Sequence, residues 1–380
     1  MYKFSLSKTI YFFMLFLIIV FYSQGVLYPY DTIISQAAAF ILLMISLIYF
    51  LFYSRIISKP PPFFVKLWTA ILIINIIYFA FEGSTLYLQS IISGLLNLLP
   101  FYAFYIFAEK GYLKSKHLQT LFFVLLFLFS YRFVNSNIEL QVLRGRENVV
   151  DNTIYLFIGL LPFVFIIKKR FLSIVSITAI WFFMIQSGKR GAIVTGFITI
   201  ILFYYYLFMS FKKEKYIFLK YSAAFIIIIG ISYWAYDFYT QNEYVVQRIT
   251  TMLEGDSSGR DRLSLEIFEN WYNSDNPFVY LFGKGYQSSF KITSHASHNE
   301  WLDVLVSFGL FGFSVYFAMF FSGFRFILKE NWIFYKKISF ICLLLCALIA
   351  SITSRWIMSS FPYSQMLLLP YLLVTYDNDK

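Results

Sequence analysis

Charge is what this 380-residue chain has least of. Only 13% of its residues are Asp, Glu, Lys or Arg, against 59% hydrophobic. That leaves too little polar surface to cover a soluble domain of this size. Histidine occurs three times and cysteine twice. Cys342 and Cys346 stand four apart in an apolar stretch, so they share a helix face and read as small buried residues. No group of His, Cys and acidic residues has metal-site spacing, and no glycine-rich loop follows a strand to cradle a nucleotide. The expectation is no metal, no cofactor and no nucleic-acid partner.

What the chain has in abundance is apolar length. Runs near twenty residues recur, enough to cross about 30 Å of hydrocarbon at about 1.5 Å per residue. They predict an all-α, polytopic membrane protein of about twelve spans. These fall at residues 9–27, 33–53, 63–81, 86–108, 118–134, 153–167, 171–187, 192–210, 217–236, 299–321, 338–354 and 363–377. The first is too long for a signal peptide and lacks a small-residue cleavage site. One large loop, residues 237–298, separates the nine spans of 1–236 from the three of 299–380. Basic residues follow the even-numbered spans, as with Lys110, Lys114 and Lys116, or Lys212, Lys213 and Lys215. Lipid-facing chains keep such loops inside, so both termini are expected in the cytoplasm and the large loop outside. His117 then falls on the cytoplasmic side and reads as a solvated flanking residue.

The two basic residue types divide between the faces. Arg144, Arg146, Arg190, Arg248, Arg260, Arg262 and Arg355 fall outside, seven of the eleven arginines, where positive charge opposes the topology. A lysine suffices for orientation, whereas the planar fork of arginine matches phosphate or carboxylate oxygens in pairs. The pattern points to an anionic ligand at the outer face. Pairing with Glu147, Asp151 and Asp261 is the competing explanation for single members.

Three outer segments carry candidate chemistry. In "QSGKRGAIVTG" (186–196), Gly188 and Gly191 allow a short turn holding Lys189 and Arg190 close to hydrocarbon, a costly position unless it faces a cavity or an anion. "SSGRDRLSLEIFENWY" (257–272) predicts an amphipathic helix with Leu263, Ile267, Phe268 and Trp271 on one face and a Ser258/Asp261 capping box. Its apolar face would lie over the outer mouth of the bundle, with Arg260 and Arg262 in the first turn. "NPFVYLFGKGYQS" (276–288) follows, with turn-forming Gly283 and Gly285 and rings able to stack on sugars. "SHASHNEWLDVLVSFGLFGF" (294–313) holds the other two histidines. Ser297 and Glu300 form a capping box there, so the tenth span begins near His298. A neutral imidazole at a membrane–water boundary can accept a proton, which makes His298 a candidate general base and His295 a weaker one. Arg144 and Arg146 in "VLRGREN" and Arg355 after the eleventh span could join the same basin.

Taken in order, "QSGKRGA", "SGRDRLSLEIFENW", "LFGKGYQ" and "HNEWLDVLVSFGLFG" resemble the O-antigen polymerase and O-antigen ligase superfamily of bacterial membrane glycosyltransferases, across residues 186–313. Two positions depart from its pattern. Ser307 stands where an acid often precedes the glycine of the last motif, and Lys189 replaces a commoner small residue. The resemblance implies a GT-C-like fold in the bacterial inner membrane and metal-independent transfer at the periplasmic face. The donor would be a glycan on undecaprenyl diphosphate and the acceptor a sugar hydroxyl of another lipid-linked repeat. By position, Arg190 and Arg260 would bind the diphosphate and His298 would take the acceptor proton. Arg262, Lys189, Arg144, Arg146, Asn299 and Arg355 would line the substrate site. A separate chain-length regulator protein is the implied partner besides membrane lipids and the lipid-linked oligosaccharide and polysaccharide. Polymerase is the preferred reading, for the aromatic load and modest loops. Ligation of the finished chain to lipid A-core, or transfer by a related protein-glycosylating O-oligosaccharyltransferase, is the alternative. A lipid-oligosaccharide flippase is a third reading, weakened because spans such as 33–53 and 192–210 carry almost no polar residues.

Overall fold

The computed structural model describes residues 6–27, 32–82, 87–145, 150–211, 260–295, 297–354 and 364–375, with isolated positions between 222 and 250. Every regular element among them is helical. In hydrocarbon each backbone N–H and C=O must find its partner within the protein, and a helix does this segment by segment. The order is α1 (Leu6–Leu27), α2 (Ile33–Ile56), α3 (Phe63–Glu82), α4 (Leu88–Glu109), α5 (Ser115–Arg144), α6 (Arg170–Gln186) and α7 (Arg190–Phe211). The large loop then contributes α8 (Arg260–Tyr272), α9 (Pro277–Phe282) and α10 (Ser288–Thr293). After it come α11 (Glu300–Lys329), α12 (Phe334–Thr353) and α13 (Leu369–Thr375). Among the described residues, eight helices are long and apolar enough to cross a membrane: α1 to α5, α7, α11 and α12. The chain is a multi-pass membrane protein.

Besides 299–321, which is interrupted at Gly309, three expected spans differ from the observed elements. The run 153–167 is a broken segment, a 3-10 turn Asn152–Ile154, one α-turn Tyr155–Ile158 and a second 3-10 stretch Leu161–Ile166. Pro162 has no N–H to give the ladder and Gly159 stabilises helix poorly, so the regular pattern fails between them. Residues 157, 158, 160, 161 and 163–167 are buried, which keeps this irregular backbone away from lipid. Neighbouring side chains then satisfy its carbonyls. Gln119 of α5 donates to Ile166 (2.9 Å), Ser173 of α6 to Val164 (2.8 Å) and Ser339 of α12 to Pro162 (2.7 Å). The second difference is α5, which runs on to Arg144 rather than stopping near 134. The residues NSNIELQVLR continue the helix past the apolar stretch, and Gly145 ends it in the left-handed conformation (φ 60). The third is the last span, where Ser364–Leu368 is a π-helical turn that leads into α13. The expected span 217–236 lies largely outside the described residues.

Contacts sort the helix ends into two groups. At one end Lys59 N–H donates to Glu109 (3.0 Å) and Tyr11 hydroxyl meets His117 Nδ1 (2.8 Å). His117 is thus half-buried between α1 and α5 rather than a solvated flank residue, because its neighbours Tyr11 and Phe12 pack against the ring (5.7 and 5.5 Å). At the opposite end Lys291 of α10 pairs with Glu82 of α3, Gln287 donates to Ser90 of α4 (2.7 Å), and Asp151 N–H donates to the Ser187 carbonyl (3.2 Å). The large loop, the start of the broken segment and the α6–α7 turn therefore share one end of the bundle. Cys342 and Cys346 are buried with sulfurs 3.9 Å apart, on one helix face as their spacing requires.

Candidate functional site

The site is organised by a fold-back in α11. Gly309 takes φ 66 and ψ −164, a combination open essentially only to glycine, and it divides the helix into a short limb, residues 300–308, and a long limb, residues 310–329. In a continuous helix Trp301 and Phe320 would be about 28 Å apart. Here their rings stack at 5.4 Å, and Trp301 also packs on Tyr316 (4.7 Å) and Phe313 (5.8 Å). The short limb therefore doubles back along the long one. Gly312 makes the bend tight, since a Cβ there would sit 2.3 Å from that of Phe308. The loop 281–285 clasps the apex, with Lys284 N–H on Val306 O (2.8 Å) and Gly285 N–H on Ser307 O (3.1 Å). A Cβ at Gly283 would lie 2.3 Å from the Ser307 carbonyl carbon, and one at Gly309 2.4 Å from that of Leu281. The two glycine motifs read separately in the sequence are thus the two halves of one backbone contact.

The fold-back carries the start of the short limb down to the ends of other helices. Trp301 Nε1 donates to Ser351 Oγ (2.9 Å) in the last turn of α12. Thr353 of that turn lies against Gly191, where a Cβ would come within 2.8 Å of its Oγ1. The first turn of α7, the last turn of α12 and the first turn of the short limb consequently meet. Arg190 is the first residue of α7, and His298 lies three residues before Trp301, so their chain segments adjoin at the α12 terminus. Lys189 Nζ sits 5.9 Å from the centre of the Tyr155 ring, which brings the start of the broken segment to the same turn. Three of the predicted cation and base positions, Lys189, Arg190 and His298, are thus on chain segments that meet at one end of the molecule, and Arg260 heads α8.

α8 is held above the short limb as its periodicity predicted, although it begins at Arg260 and Ser258 of the expected cap lies outside the described residues. Ile267 and Trp271 are buried against Val306, with Leu263, Leu302 and Leu305 around them. Phe268 was expected on that face and is exposed instead. Trp271 Nε1 donates to Val279 O (3.1 Å), which ties α8 to α9. This docking leaves Arg260 and Arg262 exposed at the head of the helix.

The approach to the short limb differs from the expected capping box. His298 has φ 54 and stands before the helix rather than in its first turn. Asn299 is the cap, its Oδ1 accepting from Trp301 N–H (3.0 Å) and Leu302 N–H (3.2 Å). The helix end thus engages the Asn299 oxygen. Ser297 Oγ donates to Asp303 (2.7 Å) and accepts from Asn299 N–H (3.1 Å). Glu300, freed from capping, is 4% exposed and accepts from Tyr316 hydroxyl at 2.7 Å. His298 is thus exposed between buried Ser297 and Glu300, next to the carboxylate–tyrosine contact. His295 turns Nδ1 to the Thr293 carbonyl (2.8 Å). Ser307, the departure from the family pattern, accepts from Ser288 N–H (3.3 Å) and so helps hold α10. Arg144 is the last residue of α5, and Arg146 and Arg355 lie outside the described residues.

No protein-family model and no curated protein sequence matches the chain. The family resemblance therefore rests on the motifs of residues 186–313 alone. Tyr155, Tyr316, Ser351 and Thr353 gave no sequence signal, since each lies within an apolar stretch or at the end of one. Glu300 was visible but matched a cap pattern equally well.

Proposed function

We propose that the chain is a glycosyltransferase of the outer membrane face that polymerises surface polysaccharide, an O-antigen-type polymerase. It would carry an undecaprenyl-diphosphate-linked glycan onto a hydroxyl of a second lipid-linked repeat. The observation that supports this reading is the meeting of the ends of α7 and α12 with the start of the short limb, on which the Arg260-headed α8 docks. A diphosphate is already a leaving group, so the protein's task is charge complementarity and positioning. Arg190 and Arg260 engage the diphosphate, with the positive end of the α7 dipole beside Arg190. The acceptor oxygen bonds to the anomeric carbon as the bond from that carbon to the diphosphate oxygen breaks. His298 takes the acceptor's proton, and the lipid diphosphate departs with the electron pair. The twelve-crossing topology, GT-C-like fold, cytoplasmic termini and inner-membrane location belong to this proposal.

The test uses a strain lacking the native gene and carrying variants that insert and accumulate normally. Arg260→Ala and His298→Ala should leave lipid A-core bearing single repeats. By analogy with oxyanion donors at about 3–4 kcal/mol each, elongation should fall about 10²–10³-fold. Bare lipid A-core with accumulated lipid-linked polymer would identify a ligase instead. Normal polymer in both variants would overturn the catalytic assignment.

A further inference from the structure

The apolar surface of α8 and α9 exceeds what the core beneath them covers. At 100° per residue the apolar positions of α8 span an arc of about 200°, from Leu263 through Ile267 and Trp271 to Phe268, Tyr272 and Leu265. Ile267 and Trp271 are buried, whereas Leu265, Phe268 and Tyr272 are exposed, with Phe268 and Tyr272 stacked at 5.8 Å. α9 continues this surface. None of its residues is buried, Phe278 is 69% exposed and Leu281 51%. A solvated loop has no reason to present such a patch.

What covers the patch follows from its neighbours. The ring of Phe282 lies 6.3 Å from that of Phe311 on the long limb of α11. Leu310, Phe317, Phe321 and Leu328 form an exposed stripe down that limb at i, i+7, i+11 and i+18, which is the lipid-facing side of a membrane-crossing helix. The exposed face of α9 is thus continuous with the lipid-contacting belt. Its backbone is also prepared for an apolar surrounding. Asn276 caps its start, Tyr78 hydroxyl donates to Phe282 O (2.7 Å) and Trp271 Nε1 to Val279 O (3.1 Å). Residues 277–283 carry no charge, and Lys284 next to them reaches back to Asn270 O (2.5 Å) and Oδ1 (2.6 Å), away from the apolar face.

We propose that α9 and the Phe268–Tyr272 edge of α8 lie in the outer leaflet of the bilayer, in contact with phospholipid acyl chains, so that the large loop rides on the membrane surface. The inference does not rest on the transferase reading.

The full chain is reconstituted in phosphatidylethanolamine/phosphatidylglycerol vesicles containing doxyl-labelled phosphatidylcholine. Phe278→Cys, Leu281→Cys and Glu266→Cys are each labelled with an environment-sensitive fluorophore, and the unsubstituted chain, whose two cysteines are buried, gives the background. Labels at 278 and 281 should be quenched severalfold more by doxyl lipid than by aqueous iodide, and the label at 266 the reverse. Iodide quenching at 278 and 281 equal to that at 266 would overturn the proposal. So would shielding from both quenchers, which would mean that polypeptide covers the face. Neither result bears on catalysis.

Discussion

The apex at Gly309 makes a quantitative prediction. Gly309→Ala forces a side chain into φ 66, ψ −164, and its Cβ would land 2.4 Å from the Leu281 carbonyl and 2.5 Å from Phe282 N, both backbone atoms. The conformation costs about 1–3 kcal/mol. The overlap cannot be relieved by a rotamer change and adds about 1–3 kcal/mol. The control is Gly111→Ala, at φ 71 with nothing within 4 Å of a new Cβ, which carries only the left-handed term of about 1–2 kcal/mol. Thermal unfolding of the purified protein in detergent micelles should therefore show a clearly larger drop in midpoint for Gly309→Ala. Gly283→Ala presses on the same contact from the other side. The double variant should lose less than the sum of the two singles, because once the clasp has opened the second Cβ meets no clash. A Gly309→Ala midpoint no lower than that of Gly111→Ala would refute the clasp, and with it the fold-back that brings His298 to α12.

Three further outcomes follow from individual contacts. Tyr316→Phe removes the hydroxyl that donates to the buried Glu300 carboxylate and should cost about 1–3 kcal/mol. Glu300→Gln/Tyr316→Phe should then be no worse than the worse single change, read from the same melting curves. Trp271→Ala removes the anchor of α8, and hydrogen exchange across residues 260–272 should rise while that of α4 stays unchanged. Ser339→Ala strips a donor from the Pro162 carbonyl inside the bundle and should destabilise by about 1–3 kcal/mol, whereas Ser93→Ala, on an exposed surface of α4, should be nearly neutral.

The long helices were legible because each is an apolar run with no competing arrangement in hydrocarbon. α8 was legible for a related reason, since Leu263, Ile267 and Trp271 recur at helical spacing and do face the core. The broken segment was not, although Gly159 and Pro162 were in plain sight. Its carbonyls are satisfied by Gln119, Ser173 and Ser339, side chains from three other helices, and no local pattern encodes such partners. The fold-back at Gly309 was hidden for the same reason. Gly-x-x-Gly is compatible with a straight span, and contacts between residues far apart in sequence, such as the Trp301–Phe320 stacking at a separation of nineteen, distinguish the two. At the head of the short limb two caps competed. Ser297 with Glu300 matched the capping-box spacing, yet Asn299 took the position because His298 turns the chain at positive φ and Glu300 is drawn to Tyr316. The candidate residues at 190, 260 and 298 were therefore named from motif and charge, while the meeting of the α7, α12 and short-limb ends could be seen only in three dimensions.

In the proposed transfer, Arg190 and Arg260 hold the lipid-linked diphosphate while His298 takes the acceptor proton. The most direct test is release of undecaprenyl diphosphate by the purified, reconstituted protein supplied with lipid-linked repeat units alone. One lipid diphosphate should be released for each repeat added, with both lost together in His298→Ala. Release that persists undiminished in that variant, or extension of the chain with no diphosphate set free, would contradict it.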